Sequence, residues 1–391
     1  MVARNPASEI GKLRDHLAAA DKQLAFLFGA GTSASVRGTD GDLLIPAVEQ
    51  LTALCEKEVK GLGGPFDAAW DSIVNELPTA HRTIEDVLSA VRQKQLAMGP
   101  GDSLAGLDSV GMQKIEELIR KKIAGVVMPA ESRVPETIPH DSLAKWVNRI
   151  ERLHAVEVFT TNYDTLIERA FEGARAPIFD GFVGARHPFF YPASLRFPDS
   201  APANSWSRLW KVHGSITWKL DHGEIMRGEE SATGEMILPS LLKYDESRKQ
   251  PYIAMLDRLR DVLNRREDGV LIACGFSFAD QHINEIVFEA LAQNARLHAF
   301  ALCFEDPSVD SELMKATSSH SNLIVLAPSF CVVGGAKFRW EAGSAEIAST
   351  MMLYTQWPAD YETNFDPASG KLTIGDFNVF AKLLDSIVNA R

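Results

Sequence analysis

At 391 residues, 46% hydrophobic and 24% charged, the chain has the make-up of a soluble globular protein, either two or three domains or one large domain with insertions. A formal net charge of −12 argues against nucleic acid as a direct partner, because phosphate binding needs a basic face. No apolar run is long enough for a membrane span, the opening MVARNPASEIGKLRDHL has no apolar secretion core, and Cys55, Cys274, Cys303 and Cys331 form no CxxC pair. These features point away from membrane insertion, secretion, a disulfide framework and a zinc ribbon. They predict a cytoplasmic protein with buried thiols.

The first element is a helix, with Ile10, Leu13, Leu17 and Ala20 at helical spacing. LAFLF (Leu24 to Phe28) then breaks into glycine and reads as a buried strand. From about residue 44 to 153 helical patterns dominate. Val48, Leu51 and Cys55 share a face; Ile84, Val87, Leu88 and Val91 form another, opened by Thr83 with Asp86 three residues on, a capping-box arrangement. Ile115, Leu118, Ile119 and Ile123 continue the pattern, as do Leu143, Trp146, Val147 and Ile150. The spacing predicts a helical module inserted between two strands of one sheet.

Beyond it, the apolar runs AVEVFT, RLWKVH, GVLIACG, RLHAFALCF and NLIVLAP alternate with helices such as NEIVFEALAQN. Such alternation predicts an α/β fold with a mostly parallel, Rossmann-like sheet. SITWKLDHGEI interrupts it as a small hairpin turning at DHG. From about Ser329 the pattern is irregular and ends in an amphipathic helix with Ile374, Phe377, Phe380, Leu384 and Val388. The expected organisation is a main domain, 1–328, carrying the insertion, and a C-terminal extension, 329–391, that packs on the core or mediates self-association.

Four apolar strands end in polar or glycine-rich loops: LAFLF-GAGTS, VEVFT-TNYD, LWKV-HGS and VLIAC-GFSFAD. In an open parallel sheet such loops line the carboxyl edge, where ligands bind. In GAGTS, Gly29 and Gly31 allow close backbone approach and the following amides suit a phosphate, although a tight strand-to-helix turn explains the same residues. The full dinucleotide fingerprint is absent, with no third glycine and no ribose-binding acid at the usual place. Asn162 can orient sugar hydroxyls or a water molecule, and Asp164, next to a helix start, can cap the next helix. His213, followed by Gly214, is either a structural histidine or a group that exchanges a proton near neutral pH. His187 and His282 have no comparable setting. Gly275 and Ser277 suit a ribose or adenine, whereas Asp280 reads as a helix cap.

Taken in order, these motifs resemble the sirtuin superfamily: GAGTS is similar to its phosphate-binding GAGxS, TTNYD to its TQNxD, VHGS to the HG of its catalytic histidine, and GFS to its late GTS loop. The resemblance spans about residues 24 to 328. It implies a Rossmann-like NAD-binding fold with Asn162 and His213 as catalytic residues, and with Gly29, Ala30, Gly31, Thr32, Ser33, Asp164, Gly275, Ser277 and Phe278 contacting NAD. Two departures matter. The paired CxxC zinc module of the protein deacylases is replaced here by the hairpin ITWKLDHGEI, and GIPDFR after the first motif by ASVRGTDGDLLIPAVEQL. In both respects the chain resembles the zinc-free sirtuin-like NAD hydrolases of bacterial antiphage systems, in particular the subunit that pairs with a HerA/FtsK-type ring ATPase. That resemblance implies NAD as substrate, no zinc, a homo-oligomer and a ring ATPase as partner. A deacylase, an ADP-ribosyltransferase or a non-catalytic NAD-binding subunit are the alternatives.

Overall fold

The short apolar runs that punctuate the chain become strands of one sheet. In the computed structural model, which describes residues 3–78, 82–129, 131–196, 201–229, 250–265, 267–340, 365–366 and 371–389, ten strands join it. They are β1 (Ala3–Arg4), β2 (Gln23–Phe28), β3 (Glu157–Thr160), β4 (Ile178–Phe179), β5 (Ser207–Lys211), β6 (Gly269–Cys274), β7 (Leu297–Leu302), β8 (Leu323–Leu326), β9 (Phe330–Val333) and β10 (Ala336–Trp340). The spatial order is β1-β10-β9-β8-β7-β6-β2-β3-β5-β4. Every neighbouring pair from β8 to β4 is parallel; β9 runs antiparallel to both β8 and β10. The expected mostly parallel α/β sheet is present.

The apolar run of β2 is continuous because both faces of the sheet are covered, so neither set of alternating side chains can be polar. Leu24, Phe26 and Phe28 enter the core on one face, with the helices Pro6–Ala18, Pro139–Arg149, Leu166–Gly173 and Phe377–Asn389. Ala25 and Leu27 enter the other, with Tyr252–Leu263 and Gln281–Gln293. Aromatic packing ties the first face together: the Phe26 ring lies 5.7 Å from Trp146 and 6.2 Å from Phe380, and Phe28 lies 5.3 Å from Phe377. Of the extension expected at 329–391, residues 341–364, 367–370 and 390–391 lie outside the described residues. Its described parts join the sheet as β9 and β10 and the core as the helix Phe377–Asn389.

The helices Val48–Lys60, Pro65–Glu76, Ile84–Ala97 and Ser109–Val127 pack around a core of their own, and the box at Thr83 and Asp86 caps the third of them as its sequence predicts. Leu143, Trp146 and Ile150 belong instead to the core of the sheet. Tyr163, Leu166 and Ile216, from the loops after β3 and β5 and the helix start between them, reach into the core of the helical module. The carboxyl edge of the sheet and the module are therefore joined directly. At the predicted hairpin, Trp218–Asp221 pairs antiparallel with Glu224–Arg227, and both turn residues, His222 and Gly223, have positive φ, as a two-residue hairpin turn requires.

His140, at the start of the helix Pro139–Arg149, is buried against Phe377, and neither ring nitrogen has a hydrogen-bond partner among the described residues. Burial lowers its pKa to about 4, against the opposing pull of Asp164. Between its ordinary value and about 4 the unfolded chain binds a proton that the folded chain refuses, so stability falls as pH falls through that window. Going from pH 7 to pH 5 costs about 2 kcal/mol through this group alone. His16, lowered to about 4 by burial and by Lys22 and His298, acts in the same direction. Urea melts of His140→Leu should show the pH 7 to pH 5 difference reduced by about 2 kcal/mol; an unchanged difference would place the acid sensitivity elsewhere.

Candidate active site

The sheet order β6-β2-β3-β5 sets four loops side by side at one edge: Gly275 to Asp280, Gly29 to Ser33, Thr161 to Asp164, and His213 to Ser215. From β2 the chain moves to β3 and β5 on one side; β6, β7 and β8 lie on the other. The strand order thus reverses between β2 and β6, the position at which open α/β sheets form a crevice.

The glycines of that crevice face one another. The Gly29 amide donates to the Cys274 carbonyl at 3.3 Å, and the Gly31 amide to the Gly275 carbonyl at 3.0 Å. A Cβ at Gly29 would stand 2.5 Å from the Gly275 carbonyl oxygen, and one at Gly31 2.6 Å from the Gly275 Cα. Gly275, at φ 65°, would place its own Cβ 2.5 Å from the Thr32 nitrogen. Only residues without side chains let these loops seat on each other. The Thr32 amide is also occupied, donating to the Gly29 carbonyl at 3.0 Å. Loop-on-loop packing therefore accounts for the glycines, and three of the amides expected to face a phosphate bind within the protein.

The second loop docks on the first through side chains. The Asn162 Nδ2 donates to Thr32 Oγ1 at 3.0 Å and to Ser33 Oγ at 2.8 Å, and Ser33 Oγ donates to Asp164 Oδ2 at 2.6 Å. Asp164 Oδ1 accepts the Leu166 amide at 3.1 Å, so this residue both steadies the start of the next helix and anchors Ser33. Both amide hydrogens of Asn162 are committed, and its amide plane is set. Beneath, the buried Lys211 donates to the Asp164 carbonyl and to Glu168 Oε1 at 2.8 Å. Burial raises the pKa of Glu168 while Lys211 pulls it down.

Thr160 pairs with Lys211, so Asn162 and His213 each lie two residues past the paired strand ends, on strands about 5 Å apart. His213 Nε2 lies 2.9 Å from Asp280 Oδ2. The other oxygen of Asp280 accepts the amides of His282 and Ile283 at 2.9 and 3.1 Å, the helix cap its sequence position predicts. Burial opposes ionisation of Asp280, but His213, by hydrogen bond and charge, and the Ile283 amide outweigh it and hold the carboxyl below its ordinary value. An ionised carboxylate can only accept, so the hydrogen of this contact sits on Nε2. Asp280 and Lys211 are the site residues the sequence reading missed. The first read only as a cap, the second as an ordinary strand residue.

Ala30 is half-buried in the short helix Ala30–Ala34, and Ser277 is exposed beyond the network. Phe278 is buried with φ 57°, held by Asn284 Nδ2 on its carbonyl at 2.7 Å and by the Phe276 ring at 5.0 Å. Its ring packs into the core, where it also stacks with Phe288, while its backbone shapes the fourth loop. His187 and His282 are exposed. Among the described residues no three His, Cys, Asp or Glu side chains are placed to hold a metal ion, and no helix is long and apolar enough to cross a membrane.

Residues 156–325 match the family model of the SIR2-like domain. The matched span holds Asn162, Asp164, His213, Gly275, Ser277 and Asp280; the Gly29 to Ser33 loop precedes it. Solved structures of Sir2 proteins show a likeness of low identity. A Sir2 enzyme studied for mechanism and regulation is 13% identical at a TM-score of 0.38, covering 82% of this chain and 92% of its own. A Sir2 homologue in complex with NAD is 15% identical at 0.36, covering 88% and 93%. A mutant Sir2 homologue in complex with ADP-ribose is 15% identical at 0.35, covering 88% and 95%. No curated protein matches the chain.

Proposed function

We propose that this protein hydrolyses NAD at the nicotinamide–ribose bond, releasing nicotinamide and ADP-ribose, with Asn162 and His213 as catalytic residues. The observation that carries this reading is the pairing of His213 with the ionised Asp280 beside an asparagine amide locked by Thr32 and Ser33, at a strand-order reversal. A binding site alone has no use for a histidine whose protonated nitrogen is fixed by a carboxylate.

Nicotinamide is cationic in NAD and leaves without a general acid; the barrier is the positive charge that develops at the ribose carbon. Asn162 orients the nicotinamide ribose and the attacking water. His213 accepts a proton from that water or from a ribose hydroxyl, and Asp280 stabilises the resulting imidazolium, a contribution of about 10²–10⁴-fold in rate. Asp164, uncharged neighbours of the first loop and the exposed Ser277 complete the binding surface. Cellular NAD loss then serves defence against phage, in an oligomer partnered by a HerA/FtsK-type ring ATPase, as the motif resemblance implies.

Purified protein incubated with NAD, alone and with such an ATPase, should yield free ADP-ribose and nicotinamide in equal amounts. O-acyl-ADP-ribose or labelled protein would reassign it as a deacylase or transferase; tight NAD binding without turnover would make it a regulatory subunit. Asp280→Asn separates capping from chemistry. Asn caps a helix about as well as Asp, so stability should stay within roughly 0.5 kcal/mol. Turnover should fall by about 10²-fold or more, because an amide cannot stabilise the imidazolium. Unchanged kcat in Asp280→Asn would reduce the pair to a structural contact.

A further inference from the structure

The opposite, amino edge of the sheet holds a concentration of guanidinium groups that the proposed chemistry does not use. Glu157, at the start of β3, is fully buried and saturated. It accepts Trp210 Nε1 at 2.5 Å and Arg258 through both Nε and Nη2, and forms an ion pair with Arg208 Nη1 at 3.6 Å; Arg258 Nη1 donates to the Leu195 carbonyl at 3.3 Å. That one carboxylate does not exhaust the donors around it. Arg208 is buried, and among the described residues its Nε has no acceptor and its Nη2 reaches the Pro202 carbonyl at 3.3 Å. Arg265, half-buried after the helix Tyr252–Leu263, has no hydrogen bond to its guanidinium among the described residues. Its pKa and that of Arg208 are lowered, first by burial, despite the pull of Glu157.

Arg208, Arg258 and Arg265 line a cavity of about 640 Å³ together with His154, Asn204 and Glu267. The nearer acid on its rim, Glu267, already faces His154 at 3.5 Å and is half exposed. The carboxylates that act on these guanidiniums are the buried Glu157 and, at Arg265, also Glu267 and Asp261, in a chain whose net charge is −12. A buried cation without its acceptors costs free energy, and an anion entering the cavity supplies them. The volume lies within the range of small-molecule sites and suits a ligand of nucleotide size. Planar guanidinium forks match phosphate oxygens in pairs.

We infer that this amino-edge cavity is a second ligand site, which binds a phosphorylated small molecule through Arg208, Arg258 and Arg265. It lies roughly 15 Å along the strands from Asn162 and His213, shares no residue with them, and stands whether or not the protein turns over NAD.

Inorganic pyrophosphate tests it by titration calorimetry on the full chain at moderate and high salt. Wild type should bind one equivalent saturably. Arg265→Gln, which removes a side chain with no hydrogen bond to lose, should keep the ligand-free melting temperature and weaken binding at least about tenfold. Asn204→Asp, which adds a carboxylate to the lining, should weaken binding as well. Absence of saturable binding to wild type, or equal affinity in wild type and both variants, overturns the assignment. So does binding that vanishes at high salt in wild type and variants alike, which marks diffuse charge attraction.

Discussion

Asn162→Ala and His213→Ala should each abolish release of nicotinamide from NAD while the melting temperature changes little. The two losses have different origins. His213→Ala removes the proton acceptor and leaves Asp280 still capping its helix through the oxygen that binds the His282 and Ile283 amides. The fold therefore survives, and turnover falls by about 10²–10⁴-fold. Asn162→Ala removes no charge and no proton acceptor. It frees Thr32 Oγ1 and Ser33 Oγ from their common donor and leaves the Ser33–Asp164 bond in place. Its effect on rate comes from lost orientation of sugar and water, which well-positioned groups make worth several kcal/mol. Product analysis with a circular-dichroism melt on each variant is the required measurement. Normal turnover in both refutes the catalytic assignment.

Gly275→Ala should be the most damaging single methyl in the molecule's candidate site. The residue sits at φ 65°, which costs an L-residue about 1–2 kcal/mol. Its new Cβ would also meet the Thr32 nitrogen at 2.5 Å and the Gly31 Cα at 2.9 Å, both backbone atoms that no rotamer change can move. Overpacking of this kind adds about 1–3 kcal/mol. The first loop must then shift, and with it Thr32 and Ser33, the acceptors that hold Asn162. A drop of about 3 kcal/mol in urea melts, with NAD turnover lost as well, is expected. Gly223→Ala serves as the control: it has a similar φ of 85° with open space around it, so it should show the backbone cost alone and keep activity.

How much of this was legible beforehand depends on the range of the interaction concerned. Buried parallel strands are continuous apolar runs, so β2, β3, β5, β6, β7 and β8 could be read directly, as could the local devices at Thr83 and at His222-Gly223. The four loops were assigned to one edge from the rule that parallel strands share a direction. What escaped was pairing across the sheet. His213 and Asp280 are 67 residues apart, and nothing in GFSFAD tells that its aspartate reaches past the cap to a histidine from β5. The glycines of GAGTS read either as room for a ligand or as a tight turn, because sequence cannot show that Gly275 packs against them. Leu143, Trp146 and Ile150 display an apolar face without saying what covers it, which is why their helix read as part of the insertion rather than of the sheet.

The helix Phe377–Asn389 has a consequence for biosynthesis. It covers Phe26 and Phe28, which belong to the second strand of the chain, and Asn378 donates to the Ser35 carbonyl just past the first glycine loop. On the ribosome, a face built from the earliest residues must wait for nearly 350 more to be translated before its cover arrives. Until then the nascent sheet presents bare aromatic rings, a natural target for chaperones. The glycine loop beside it receives this brace only when residue 378 emerges.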